Sequence, residues 1–134
     1  MCRLYYISKI LTCTFSDIND LFINCFSIYS VLIISTIANG FINCQELDYC
    51  TFSSCSNINI NCDNLRSCSI YRCSNLNINC NSLLSCTICL NKNIKINGVY
   101  INNNSFNENK IINIICESIY LNTFSSISNI NITA

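Results

Sequence analysis

The chain has no proline, no histidine and no tryptophan, and only two glycines and one methionine in 134 residues. Each absence closes a class. Without histidine the commonest general base and the commonest metal ligand are both missing, so a hydrolase triad built on imidazole is excluded. Cysteine, carboxylates and tyrosine are the only candidates left for chemistry. With no proline and almost no glycine, the chain is expected to turn by gentle bends at serine and asparagine instead of tight glycine turns. Charge is scarce as well: seven Lys plus Arg balance seven Asp plus Glu, and a net charge of zero gives nucleic acid no basic surface to hold.

What is present is thirteen cysteines in a background of Asn, Ile and Ser, close to the cysteine usage of a disulfide scaffold in a secreted chain. The length suits an N-terminal segment, 1–38, followed by one domain, 39–134. No charged residue occurs from Leu21 to Gln45, and residues 21–38 (LFINCFSIYSVLIISTIA) are as long and apolar as a membrane span or signal core requires. Arg3 and Lys9 precede that stretch as a positive n-region would, whereas Asp17 and Asp20 do not belong in one. The competing expectation is a capping coil, because Tyr29, Leu32, Ile34, Ile37, Ile42 and Cys44 already fall in phase with the repeat that follows.

That repeat has a period of 18 residues and holds without a gap to the C-terminus. One column is Leu47, Leu65, Leu83, Ile101 and Ile119; the next is Cys50, Cys68, Cys86, Asn104 and Asn122; then come Phe52, Ile70, Ile88, Phe106 and Phe124. Cys55, Cys73, Asn91, Asn109 and Ile127 follow, then Ile58, Leu76, Ile94, Ile112 and Ile130, and then Ile60, Ile78, Ile96, Ile114 and Ile132. The unit closes with Cys62, Cys80, Gly98, Cys116 and Ala134. Inward candidates are spaced by two and three, the pattern of strands with corners and not the 3.6 period of a helix. The expected fold is therefore all-β, a parallel β-solenoid of about five 18-residue coils, with the apolar N-terminal segment as a helix or a capping coil.

Two uses of the cysteines are open. Cys44–Cys50, Cys62–Cys68 and Cys80–Cys86 are each six apart and flank one corner, and both members are replaced together at Gly98 and Asn104, which suggests a disulfide within each coil. Cys116 departs from that rule, since its partner position is Asn122. Alternatively they are inert buried thiols: the exchange of Cys for Asn at positions 91, 104, 109 and 122 marks a corner where a small side chain meets free backbone groups. No metal site and no cofactor are expected, because the cysteines are not in clustered pairs and CTIC (86–89) is a lone C-x-x-C.

Residues 65–76, LRSCSIYRCSNL, are similar to the strand segment of a leucine-rich repeat, although an 18-residue unit is short for that family. Residues 39–134 more closely resemble Cys- and Asn-rich tandem-repeat proteins of protists. That resemblance implies a right-handed parallel β-helix on a secreted or cell-surface protein.

For function, the outward columns are the candidates. Thr51, Ser69, Thr87, Ser105 and Thr123 form a hydroxyl column; Asn59, Asn77, Asn113 and Asn131 form an amide column interrupted by Lys95. Sequons at Asn103 and Asn131 are candidate N-glycosylation sites. A glycosidase needs two carboxylates at a defined separation, and Asp63 and Glu117 share a column but stand three coils apart. The expectation is a non-catalytic structural or adhesive surface module that contacts protein or glycan, contacts a membrane only through residues 21–38, and self-associates through its open ends. Alternatives are a protein-interaction domain of leucine-rich-repeat kind and, further off, a carbohydrate-active β-helix enzyme or an ice-binding protein.

Overall fold

The computed structural model describes the backbone of residues 2–10, 12–29 and 32–134, and side chains for residues 8–10, 12–29 and 33–134. Strands alternate long and short along the chain: β1 (Cys2–Ile10), β2 (Cys13–Ser16), β3 (Asp20–Tyr29), β4 (Leu32–Ser35), β5 (Asn39–Asp48), β6 (Thr51–Ser53), β7 (Ser56–Arg66) and β8 (Ser69–Tyr71). The series continues with β9 (Ser74–Leu84), β10 (Thr87–Cys89), β11 (Asn93–Asn102), β12 (Ser105–Asn107), β13 (Ile111–Ile115), β14 (Ser118–Tyr120), β15 (Thr123–Ser125) and β16 (Asn129–Thr133). The long strands stack in parallel in the order β1-β3-β5-β7-β9-β11-β13-β16, with β14 also on β11, and the short ones in the order β2 to β15 on the opposite wall. This is a parallel β-solenoid of about seven turns, and no helix occurs among the described residues.

The coil count exceeds the expected five because the N-terminal region, anticipated as a helix or cap, continues both sheets as β1 to β4. Residues 30 and 31 of the apolar 21–38 stretch lie outside the described residues, as does the side chain of Leu32. Among the described residues, no helix is long and apolar enough to cross a membrane.

The register also corrects the phase of the second coil. Tyr29 pairs with Asp48, not Leu47, and it is Ile28 that pairs with Leu47 and is fully buried. Asp20 to Tyr29 therefore run 19 residues behind their partners, whereas Ile33 to Ser35 and everything beyond run 18 behind. One extra residue enters between Tyr29 and Ile33. Tyr29 is turned outward, and the Lys9 ammonium sits 5.0 Å from its ring centroid.

Inside, the columns bury one another. Ile60, Ile78 and Ile96 are each 0 % exposed, as are Leu47, Leu65 and Leu83, and Phe106 stacks on Phe124 at 4.9 Å between centroids. Burial of a side chain of this size is worth about 1.5–3 kcal/mol, so each column adds stability with every coil. Ile130 and Ile132 on β16 are about two-fifths exposed.

The corners are sharper than gentle bends. Among the described residues fourteen non-glycine positions have φ between 51° and 58°; eleven of them form two columns, Tyr49, Ser67, Ser85, Asn103 and Leu121, and Thr36, Ser54, Arg72, Leu90, Glu108 and Ser126, and the others are Asp17, Asn57 and Asn75. A left-handed residue costs about 1–2 kcal/mol. The cost is offset by stacking at ten of them, from Asp17 to Glu108, whose N–H reaches a carbonyl of the next coil, as Tyr49 does to Arg66 (3.1 Å), Ser67 to Leu84 (3.0 Å) and Leu90 to Asn107 (3.1 Å). Because the neighbouring coil holds the turn, the residue at it can be Tyr, Leu, Arg or Glu.

Candidate functional site

Immediately after the left-handed residues Tyr49, Ser54, Ser67, Arg72, Ser85, Leu90, Asn103 and Glu108 stands a buried Cys or Asn, and here the cysteines find their use. Cys68 donates its S–H toward the carbonyls of Arg66 (3.2 Å) and Leu47 (3.5 Å) and accepts the N–H of Cys50 on its sulfur (3.4 Å). Asn does the same more strongly: Asn104 Nδ2 donates to Leu83 O at 2.9 Å while its Oδ1 accepts Cys86 N–H at 2.8 Å. Asn91 repeats this with Ile70 O (3.1 Å) and Cys73 N–H (2.7 Å), and Asn109 and Asn122 donate to Ile88 O and Ile101 O. The exchange of Cys for Asn is thus a change of hydrogen-bonding strength at a fixed backbone demand.

The disulfides expected at Cys44–Cys50, Cys62–Cys68 and Cys80–Cys86 are not formed; all six are free thiols. Cys50, Cys68 and Cys86 serve the corner backbone, while Cys44, Cys62 and Cys80 stack in a different column, aligned by the register Cys44↔Cys62↔Cys80.

The second column lies at a bend in the long strands. In β7 both Cys62 and Leu65 are buried with Asp63 exposed between them, so the two-residue alternation breaks there. Along the outside of this bend runs a groove of about 700 Å³, floored by Cys25, Cys44, Cys62 and Cys80 and walled by Asn43, Asn61, Asn79 and Asn97 on one side. Gln45, Asp63 and Asn81 form the other wall, and Phe26, 58 % exposed, stands at one end. Burial pushes the Cys80 thiol up to about 12 and Cys62 higher still, so both stay protonated.

Amide ladders fix the groove wall. Asn97 Nδ2 donates to Asn79 Oδ1 (2.7 Å), Asn79 to Asn61 (2.8 Å), and Asn43 to Asn24 (3.1 Å). A parallel ladder runs Asn93, Asn75, Asn57, Asn39 and ends on the Asp20 carboxylate at 3.0 Å. Every amide donates toward the N-terminal end, so the dipoles align and the Asp20 charge meets the positive end of the row. Asp63 receives Asn81 (3.2 Å) and Glu46 receives Asn64 (2.8 Å) in the same way.

Asp20, Glu46, Asp48 and Asp63 are therefore occupied in building the face. Arg66 ties Asp48 (2.9 Å) to Glu46 (2.7 Å), and Asp48 is only 7 % exposed. Asp63 and Glu117 lie three coil rises apart, about 14 Å at the spacing of hydrogen-bonded strands, too far for a glycosidase pair. Among the described residues no group of three or more Cys, Asp or Glu side chains is arranged to hold a metal ion.

Of the outward columns, Thr51, Ser69, Thr87, Ser105 and Thr123 stack in register on the short sheet. The second outward column there is Ser53, Tyr71, Cys89, Asn107 and Ser125; Tyr71 and Cys89 interrupt its polarity, so no regular hydroxyl lattice forms. On the long sheet Asn77 donates to Asn59 (3.3 Å), but Lys95 stands in place of the next amide and leaves Asn77 Oδ1 buried without a partner. Asn113 and Asn131 pair in register beyond the gap. Of the sequon asparagines, Asn103 is exposed at a corner and Asn131 on the last strand. The groove escaped the sequence reading, although Asn43, Asn61, Asn79 and Asn97 at 18-residue spacing were its available signal.

Comparison with protein-family models, with curated proteins and with solved structures finds no match to this chain.

Proposed function

We propose that this chain is a non-catalytic structural or adhesive module of a secreted or cell-surface repeat protein, akin to the Cys- and Asn-rich repeat proteins of protists, and that its amide-walled groove contacts a neutral glycan. The observation that carries this reading is the ladder Asn97–Asn79–Asn61, whose amides are held at 2.7–2.8 Å before any ligand arrives. A wall of fixed, uncharged donors and acceptors suits a hydroxyl-rich chain, because binding then costs little side-chain ordering. Phe26 at the end of the groove adds an exposed ring against which a sugar face can pack.

The test is calorimetric titration with a panel of neutral oligosaccharides, alongside Asn79→Ala and Phe26→Ala. Binding that weakens in both variants supports the reading; binding by neither variant nor parent removes it. Turnover of any sugar in the panel, lost in Asp63→Ala or Glu117→Ala, would replace it with a carbohydrate-active enzyme. Recovery of the protein from the cell exterior tests the location.

A further inference from the structure

The outer side of the long sheet has unlike ends. Its edge carries the amide ladder Asn93, Asn75, Asn57 and Asn39, which finishes on the Asp20 carboxylate in β3. At the far end of the same edge the exposed Lys92 and Lys110 lead into β11 and β13. The next outward column runs Phe22, Phe41, Asn59, Asn77, Lys95 and Asn113 in register. Phe22 and Phe41 stack at 5.2 Å, and Lys95 is exposed with no carboxylate among the described residues paired to it.

We propose that this face seats a second copy of the chain, turned end for end about a two-fold axis that crosses the sheet between β7 and β9. Turned so, β3 lies over β13, β5 over β11 and β7 over β9. Asp20 of each copy then meets Lys110 of the other, and Phe41 meets Lys95. Both pairs are symmetric about the same level, which is also the middle of the eight long strands stacked from β1 to β16. One axis therefore satisfies both contacts and covers the whole stack.

Between the two pairs the face is amide. Asn39 falls opposite Asn93, Asn57 opposite Asn75 and Asn59 opposite Asn77, and an amide both donates and accepts, so it suits a like group turned end for end. Arg3 of β1 falls opposite Asn131 of β16. Two copies laid in the same direction would instead set Asp20 on Asp20 and Lys95 on Lys95, which like-charge repulsion opposes. Glu108, the acid beside Lys110 in sequence, stands at the corner in the column of Arg72 and Leu90.

Within one chain Lys95 is a loss, because it interrupts an amide column and leaves Asn77 Oδ1 buried without a donor. Over the Phe41 ring of a second copy its ammonium gains a cation–π contact that an amide there would not make. The ladders keep the sheet flat enough for the two faces to meet along their length. Eight strands at about 4.8 Å, with about five residues of each at about 3.3 Å, cover roughly 600 Å² per copy, or on the order of 1,200 Å² in total, the small end of specific interfaces. The pair is accordingly weak and sensitive to salt.

The experiment is sedimentation of the full, reduced chain over a range of concentration and salt. The parent is expected to form a dimer that raised salt dissociates. Asp20→Lys and Lys110→Asp each set like charges together at both contacts, and each is expected to weaken the dimer at least about tenfold. An equimolar mixture of the two variants is expected to restore it, because every contact in the mixed pair again joins a lysine to an aspartate. Lys95→Asn is expected to weaken the dimer and leave the monomer at least as stable to heat. A parent that stays monomeric, a dimer indifferent to these substitutions, or a mixture that associates no better than its components would overturn the proposal. If Asp20→Lys does not fold, Lys110→Asp and Lys95→Asn still decide, since neither lysine side chain takes part in the ladders.

Discussion

Asn104 Oδ1 accepts the backbone N–H of Cys86 at 2.8 Å, one coil below it, so an amide in the sixth coil completes a corner built around a thiol in the fifth. Its Nδ2 meanwhile reaches Leu83 O at 2.9 Å. Asn104→Ala strands both backbone groups inside the solenoid, and each buried unpaired group costs on the order of 1–3 kcal/mol. The variant is expected to lose about 3 kcal/mol in urea unfolding, whereas Asn104→Cys restores weaker versions of both bonds and loses under about 1.5 kcal/mol. Equal losses in the two variants would show that the corner needs volume and not hydrogen bonds.

Lys95 sits where the Asn59–Asn77 ladder would continue, and Asn77 Oδ1 is left buried with no donor. Lys95→Asn supplies that donor from the same register position, with Asn113 in the next coil placed to donate to it in turn. Thermal unfolding is expected to show a gain of about 1 kcal/mol, the net worth of one hydrogen bond to a group otherwise unpaired. An unchanged or lower midpoint would mean that the lysine earns its place through an interaction other than the ladder.

How far the sequence speaks for this fold depends on what each level of structure reads. From Leu47 onward every inward column was legible, because stacking in register repeats the burial pattern with the chain's own period. Tyr29 was misassigned, since a single extra residue at the corner after it shifts the phase and moves the column to Ile28. The corners were illegible for a different reason. Their left-handed residues include Tyr49, Arg72, Leu90 and Glu108, chosen without regard to turn propensity because a hydrogen bond from the adjacent coil holds each one. The groove was hidden too, as it depends on the break in alternation between Cys62 and Leu65 and not on any motif. Spacing of six between cysteines suggested bonds around a coil, while the third dimension brings sulfurs together along the stack.

Gly40 occupies the column of Ile58, and a Cβ on it would lie 2.6 Å from Ile58 Cδ1. The obstacle is the tip of a flexible side chain and not backbone, so Gly40→Ala is expected to fold at a cost of about 1–2 kcal/mol from overpacking. Ile58→Val removes the offending methyl. In a double-mutant cycle the cost of Gly40→Ala is expected to fall by more than half in the Ile58→Val background, read by denaturant midpoint. A cost that is the same in both backgrounds would place the strain in the Gly40 backbone.

Alkaline pH should loosen the groove. Burial raises the folded Cys80 thiol to about 12, against about 8.5 for an unfolded thiol, so the native state keeps a proton that the unfolded chain gives up first. A raised folded value contributes stability that is complete below the unfolded value and is lost as pH rises toward the folded one, here between about 8.5 and 12. Urea midpoints are therefore expected to fall as pH rises from about 8 to about 11, and Cys80→Ala, less stable at the lower pH, to show a shallower fall across the same interval. Every other ionisable group is common to both chains, so the difference between the two slopes isolates the thiol. Parallel slopes would mean that Cys80 ionises in the folded protein as easily as in the unfolded one, and that water reaches the floor of the groove.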